Sequence, residues 1–355
     1  MTPKVAIIAD DLTGALDTGT PFVEAGLSVT IAIDIDAISE ALASGSEVVV
    51  VNTDSRALPE EKAVERVKLA ASALLAASPE ILLKKIDSRL KGHVAAESAA
   101  LAAAFGHREI VIAPAIPDQE RVTRDGKVVG RGVDHPLPIA ELFEARPETV
   151  LIIDAETDGD LDRLVTTHDW KTSLAVGARG IGSALARHIG QGGTDSRAFV
   201  PTGRTLFAFG SRDPITAAQM ATLEASGRLR ATIDAPMGLV QFGKGQTLPL
   251  PLLLRCTGDI TEEATAVADR FAKSVTSVME DTHPDMLMMG GGDTAVAVFR
   301  ALGIHLLAPK GEIEPGIPWF DVTMANGTRL RCAVKSGGFG NSDSLLRLIP
   351  ENQAA

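Results

Sequence analysis

Short apolar runs of strand length alternate with stretches of helical pattern, and this alternation constrains the chain to parallel sheets covered by helices. Residues 5–9 read as a buried strand and 13–25 as the helix after it, with Thr13 offered as the N-cap. Residues 29–33 and 48–51 are further strands. Residues 60–77 are rich in Ala, Lys and Glu and read as a long helix. The pattern continues with strand 81–85, helix 95–104 and strand 109–113, then with 150–154, 160–166, 173–176 and 181–189.

At 355 residues the chain suits two domains of about 150–200 each. The glycine-rich stretch 190–196, extended by Pro201-Thr202-Gly203, is the expected linker. After it a strand at 206–209 runs into a helix at 214–225. A helix at 261–280, a strand at 286–289 and a helix at 294–302 follow. The tail is richer in strand, at 319–324 and 329–335, and Asn326-Gly327 between these runs signals a hairpin. No internal repeat is visible.

The formal charge of −12 and the scarcity of aromatics, with no Tyr, argue against nucleic acid and anionic membranes as partners. Cys256 and Cys332 are far apart, so neither a disulfide framework nor a Cys-rich zinc site is expected. No apolar run approaches the length of a membrane span, and the run at residues 5–8 is too short for a signal segment. The expectation is a cytoplasmic, reduced enzyme.

Polar residues that carry chemistry gather at strand ends, where ligands of open α/β sheets bind. Asp10 and Asp11 close the first strand. There they can orient a hydroxyl, accept its proton or help hold Mg²⁺, or simply cap the helix. The run Lys84-Lys85-Ile86-Asp87-Ser88-Arg89-Leu90-Lys91-Gly92 ends another strand. Its cations suit an anionic substrate, and Arg89 can grip a carboxylate through two nitrogens. A solvated charge run is the plain alternative. Arg121, Arg124 and Lys127 follow strand 109–113 and can add to the same edge.

The second half carries the glycines. Gly290-Gly291-Gly292-Asp293-Thr294 lies between a strand and a helix, where backbone N–H groups can approach phosphate oxygens. There Asp293 holds a cation or caps the helix, and the plain alternative is a tight turn. Lys335-Ser336-Gly337-Gly338-Phe339-Gly340 is a second glycine-rich turn after a strand. Gly238, Gly243 and Lys244 imitate the start of a P-loop, but Gly245 replaces the required hydroxyl residue and the following prolines disfavour a helix. No complete dinucleotide fingerprint and no nucleophile elbow occur, which disfavours a dehydrogenase and a serine hydrolase.

In these residues the chain resembles the four-carbon acid sugar kinase family, which includes the D-threonate, D-erythronate and 3-oxo-tetronate kinases. The matching stretches run in order along nearly the whole chain: 9–15, 84–92, 113–117, 153–157, Gly210-Ser211 with Thr216 and Gln219, then 291–295, 312–319 and 335–340. The resemblance implies an α/β chain of two domains. A parallel-sheet sugar-acid domain would occupy residues 1–200 and an α/β nucleotide-binding domain residues 204–350, the two closing on each other. It implies transfer of the γ-phosphoryl group of ATP to the terminal hydroxyl of a four-carbon sugar acid, with Mg²⁺ whose ligands spacing does not name.

By motif, Asp10 or Asp11 would be the base or orienting carboxylate, and Asp87, Ser88, Arg89 and Lys91 would hold the acid. Ser211, Gly291, Gly292, Asp293, Thr294, Ala295, Gly337 and Gly338 would hold ATP. Its partners would be small molecules, and a homodimer through either half is compatible with the pattern. The chain departs from the family by being shorter, with the loss falling around residues 130–147, and by His93 where Asn is common. Both lie toward the substrate side, so a kinase for another hydroxy acid, or a non-catalytic nucleotide or metabolite sensor, are the other expectations.

Overall fold

A computed structural model describes residues 2–144, 149–192, 197–240, 248–259 and 261–350. It divides into two compact units, Met1–Ser196 and Arg197–Ala355. Of the features singled out above, residues 193–196 of the linker, Gly243, Lys244 and Gly245 of the P-loop imitation, and residues 145–147 lie outside the described residues.

The first unit contains strands β1 (Val5–Ala9), β2 (Val29–Ala32), β3 (Val48–Asn52), β4 (Ile81–Lys85), β5 (Glu109–Ala113), β6 (Arg121–Arg124), β7 (Lys127–Gly130), β8 (Leu137–Pro138), β9 (Thr149–Ile152) and β10 (Ser173–Gly177). Its helices are α1 (Leu12–Glu24), α2 (Ile38–Ala43), α3 (Glu60–Leu75), α4 (Val94–Phe105), α5 (Asp158–Thr167) and α6 (Arg179–Ile189). The main strands run in the order β2-β3-β1-β4-β10-β5-β9, every pair parallel. Strands β1, β3, β4 and β10 are buried at every position, so their apolar residues follow one another rather than alternating with polar ones.

Helix α1 begins one residue before its expected start. Its N-cap is Asp11, not Thr13. Asp11 is the last extended residue and its carboxylate accepts the Gly14 N–H at 3.0 Å, while Thr13 lies within the first turn and donates its hydroxyl to Asp11 at 2.6 Å. Strands β6, β7 and β8 form a small antiparallel sheet. Its first hairpin turns at Asp125-Gly126, both with positive φ, as a two-residue loop of the favoured twist requires.

The second unit contains β11 (Thr205–Phe209), α7 (Pro214–Ala225), β12 (Ala231–Pro236), β13 (Leu252–Thr257), α8 (Ala264–Thr282), β14 (Met286–Gly290), α9 (Gly292–Ala301), the two-residue β15 (Leu306–Leu307), β16 (Pro309–Glu312), β17 (Pro318–Thr323) and β18 (Arg329–Lys335). Its sheet order is β12-β13-β11-β14-β18-β17-β16. The first five strands are parallel, and β17 and β16 are antiparallel. Asn326-Gly327 does turn the β17–β18 hairpin, with Met324 N–H bonded to Thr328 O at 2.9 Å. Phe207, Phe209, Met286, Met288 and Trp319 anchor the core under this sheet. Each side chain of this kind contributes about 1.5–3 kcal/mol by leaving water.

The two units share a winding that no sequence repeat announces. In the first, β1 is flanked by β3 and β4 with β2 beyond β3. In the second, β11 is flanked by β13 and β14 with β12 beyond β13. Each sheet therefore reverses direction beside its first strand, which opens a crevice at the carboxyl ends there. Among the described residues no helix is long and apolar enough to cross a membrane.

Candidate active site

In the first unit the reversal point gathers the loops after β1, β3 and β4. Asp10 and Asp11 leave β1, Arg56 follows β3, and Asp87 to Lys91 follow β4. Arg56 grips Asp10 through two nitrogens, Nε to Oδ2 and Nη2 to Oδ1, each at 2.8 Å. Its Nη2 also reaches Asp11 Oδ1 at 2.7 Å, and its Nη1 lies 3.8 Å from Asp87 Oδ2. Burial would push the Asp10 carboxyl up, but the Arg56 guanidinium, with Lys84 and Lys85 nearby, holds it below the usual carboxylate range. Burial opposes the charge of Arg56 as well, yet the surrounding carboxylates raise its affinity for the proton further.

Gly14 keeps this corner open. A Cβ there would lie 2.5 Å from Asp11 Oδ1 and 2.6 Å from Lys85 Nζ, so only glycine lets both charges sit over the first turn of α1. Lys84 is fully buried and is not a substrate cation. It pairs with buried Glu97 at 2.8 Å, and Glu97 also accepts from Ser55 at 2.5 Å.

The four residues expected to hold the acid separate into two groups. Asp87 holds the loop itself, accepting the N–H of Arg89 at 2.9 Å and of Lys91 at 3.4 Å. Ser88 accepts from buried Arg121 Nη1 at 2.6 Å, which joins the β4 loop to the small sheet. The Arg89 guanidinium is half-buried and has no carboxylate partner among the described residues, and Lys91 is exposed. Burial, then the neighbouring charges of Arg89 and Arg131, make Arg121 less ready to hold its proton. Cations are thus in excess here.

Arg121 is fixed by Nε and Nη2 bonds to Arg131 O at 3.0 and 2.8 Å. Gly130 permits that approach, with φ +104 and a Cβ position only 2.0 Å from Glu120 O. Arg124 and Lys127 do not join this corner. Arg124 pairs with Glu156 on the surface, and Lys127 is exposed.

In the second unit the loops after β11, β14 and β18 converge. Gly210 and Ser211 N–H groups both bond Gly290 O at 3.2 Å, and Gly291 N–H bonds Lys335 O at 3.0 Å. Glycine is demanded by contact at two of these points. A Cβ at Gly210 would meet Thr294 Oγ1 at 2.0 Å, and one at Gly337 would meet Ser211 Oγ at 2.6 Å. Gly291, at φ +106, is the N-cap of α9 and has no side chain with which to cap it. The first turn of a helix turns its N–H groups to acceptors outside it, and Gly292 and Thr294 belong to that turn.

Ala295 departs from its expected role. Its side chain is fully buried and its N–H is spent on Gly291 O at 3.1 Å, because it is the first residue far enough along to close a helical bond. A cavity of about 190 Å³ opens beside Gly210, Asp293 and Thr294, walled by Met237, Val267 and Phe271. Its apolar walls next to a glycine-rich polar end suit a flat ring carrying an anionic tail. Among the described residues no cluster of three or more His, Cys, Asp or Glu is disposed to hold a metal.

Of the side chains that shape these corners, Arg56 lies outside every stretch singled out in the sequence and looks ordinary until the sheet brings the strand ends together. Lys85, Arg121 and Lys335 stand in stretches that the sequence does single out, but their neighbours come from elsewhere in the chain.

Two family models match the chain, a sugar-binding N-terminal domain over residues 5–141 and a nucleotide-binding C-terminal domain over residues 254–345. A D-threonate kinase of Bordetella bronchiseptica is 27% identical, with 97% of this chain and 96% of that protein covered. Their alignment runs over 398 residues, more than this chain contains, so the relative has segments that this chain lacks. A 3-oxo-tetronate kinase of Methylobacterium radiotolerans is 26% identical over 98% of this chain and 99% of its own length. A solved structure from Salmonella typhimurium LT2 shares the fold with a TM-score of 0.75 at 19% identity, covering 97% of this chain and 98% of its own.

Proposed function

The chain belongs to the four-carbon acid sugar kinase family, and from that premise we propose that it transfers the γ-phosphoryl group of ATP to the terminal hydroxyl of a four-carbon sugar acid. The observation that carries the substrate side is the surplus of positive charge beside Ser88, where Arg89 lacks a carboxylate partner and Arg121 is buried next to it. An acid that brings its own carboxylate relieves that surplus.

On this reading Arg89 takes the carboxylate of the substrate, and Arg121 and Ser88 fix the wall it rests on. Lys91 adds an exposed charge at the rim, and Asp87 shapes the loop. Asp11 is the better candidate for the orienting carboxylate. It is more exposed than Asp10, which Arg56 occupies on both oxygens. As the hydroxyl oxygen bonds to the γ-phosphorus and the bond to the β–γ bridging oxygen breaks, the hydroxyl proton passes to Asp11.

The nucleotide side is assigned to the second unit. Gly291, Gly292 and Thr294 would offer N–H groups to the phosphates, with Ser211, Gly337 and Gly338 across from them, and the apolar cavity would take the base. Mg²⁺ bound with the phosphates would neutralise their charge and would need only one or two protein carboxylates. Asp293, an oxygen donor lining the polar end of the cavity, fits that need. The aspartates of the first unit are already held by Arg56. The cytoplasmic location and the homodimer expected from the sequence belong to this reading too.

The test is ADP release with ATP and Mg²⁺ against D- and L-threonate, D- and L-erythronate, their 3-oxo forms and C5 to C6 acids. Turnover on one C4 acid with the phosphate on its terminal oxygen is the expected result. Turnover only on a longer or differently substituted acid favours a different hydroxy-acid kinase, which the segments missing relative to the Bordetella protein support. ATP binding without turnover on any acid would replace the proposal with a sensor.

A further inference from the structure

Lys335 is fully buried beneath the second glycine-rich turn. Its ammonium donates to Thr216 Oγ1 at 2.8 Å, to Ser336 O at 2.9 Å and to Gly337 O at 3.2 Å. Thr216 spends its own hydroxyl proton on Gly337 O at 2.8 Å, so toward Lys335 it acts only as an acceptor. All three ammonium protons therefore have acceptors, and a neutral amine, with two protons, would leave one of them without its donor.

The consequence lies on the other side of the loop. In a planar trans peptide the C=O and N–H point in opposite directions. Holding Ser336 O and Gly337 O inward turns the N–H groups of Gly337 and Gly338 outward. Those two N–H groups have no acceptor among the described residues. Gln219 ties the far end of the loop, donating to Phe339 O at 3.0 Å and Asn341 O at 2.8 Å. The carbonyls of Ser336, Gly337, Phe339 and Asn341 are thus held by two side chains.

We propose that Lys335 is a positioning residue whose buried ammonium locks two successive peptide planes, so that Gly337 and Gly338 present paired N–H donors to a phosphate group of the nucleotide. The proposal rests on the assignment of this loop to the nucleotide given above. Lys335 touches no substrate itself. It acts through the backbone, and its hold depends on its proton. Burial brings that proton's affinity down to about 8, against the opposing pull of Asp213 and Glu314, the titratable groups that face it from the start of α7 and from the turn before β17. The lock accordingly weakens through mildly alkaline pH.

The experiment is calorimetric titration of the full chain with MgATP between about pH 7 and 10, below the ordinary range of lysine. For the unaltered protein the Kd is expected to rise about tenfold with a midpoint near pH 8, the worth of one charge-assisted hydrogen bond. Lys335→Met should bind about tenfold more weakly at neutral pH, show no further pH dependence, and leave the KM for the acid within about twofold. Lys335→Arg stays charged throughout and should bind with no midpoint near pH 8. This variant tests the lock even where Lys335→Met does not fold. A pH-independent Kd for the unaltered protein, or a Lys335→Met protein with the unaltered Kd and profile, would overturn the proposal while the nucleotide assignment stands. Absence of any ATP binding would remove both.

Discussion

Arg56 and Asp10 meet through two parallel hydrogen bonds of 2.8 Å, and the same guanidinium reaches on to Asp11 at 2.7 Å. One residue after β3 thus fixes both carboxylates after β1. The bidentate fork sets the plane of Asp10 and leaves Asp11 as the more exposed of the two carboxylates.

Removing that fork should change how stability depends on pH. The Asp10 carboxyl is held below its ordinary 3.8, so the bond contributes above that pH and is lost as pH falls through the lower folded value. In Arg56→Met the buried carboxyl has no guanidinium, its proton affinity rises, and it costs stability at neutral pH instead. Urea unfolding should show a gap of about 2–3 kcal/mol at pH 7, less than for a fully buried pair because Arg56 is 27% exposed. The gap should close as pH falls below about 4. A gap that is constant with pH would remove Asp10 as its source.

Asp11→Asn separates the two roles of that residue. Asn caps a helix as well as Asp does, so α1 and the melting temperature should be kept. Turnover should fall by about 10²-fold or more, the range for loss of a positioned base. Near-normal kcat would assign the proton elsewhere.

Arg89→Ala should act on the acid alone. The guanidinium has no carboxylate partner among the described residues, so stability should be unchanged. The KM for the acid should rise about 10–100-fold, as expected for losing one charged contact, with the KM for ATP unaffected. An unchanged KM for the acid would move the carboxylate site away from the β4 loop.

Lys84→Met should test a buried charge that meets no substrate. It would strand Glu97, which is 1% exposed, with only Ser55 as donor among the described residues. A loss of about 3–5 kcal/mol is expected in denaturant unfolding, and the double change with Glu97→Leu should recover much of it. A single variant as stable as the unaltered chain would mean that Glu97 takes up its proton at no cost.

The run Lys84 to Gly92 illustrates how far a sequence reaches. Its place at a strand end was legible, because the apolar Ile81-Leu82-Leu83 leads straight into a charged stretch. Which of its charges face a ligand was not. Lys84 points into the core toward α4, Lys85 turns to α1, Asp87 folds back on its own loop, and only Arg89 and Lys91 remain for an anion. Alternation along a strand gives the face, but the neighbour across that face comes from another part of the chain.

By itself, the sequence determined the alternating elements, the polar residues at their ends and the glycines of the second half, because periodicity and backbone freedom are local properties. It placed Asp10, Asp11 and the two glycine-rich turns. The tertiary structure decided the rest. Arg56 lies 46 residues from Asp10, and Lys335 lies 119 from Thr216. Arg121 lies 33 residues from Ser88. These pairings depend on strand order, and strand order is set by which sheet buries the most apolar surface, a property of the whole unit rather than of any window of residues.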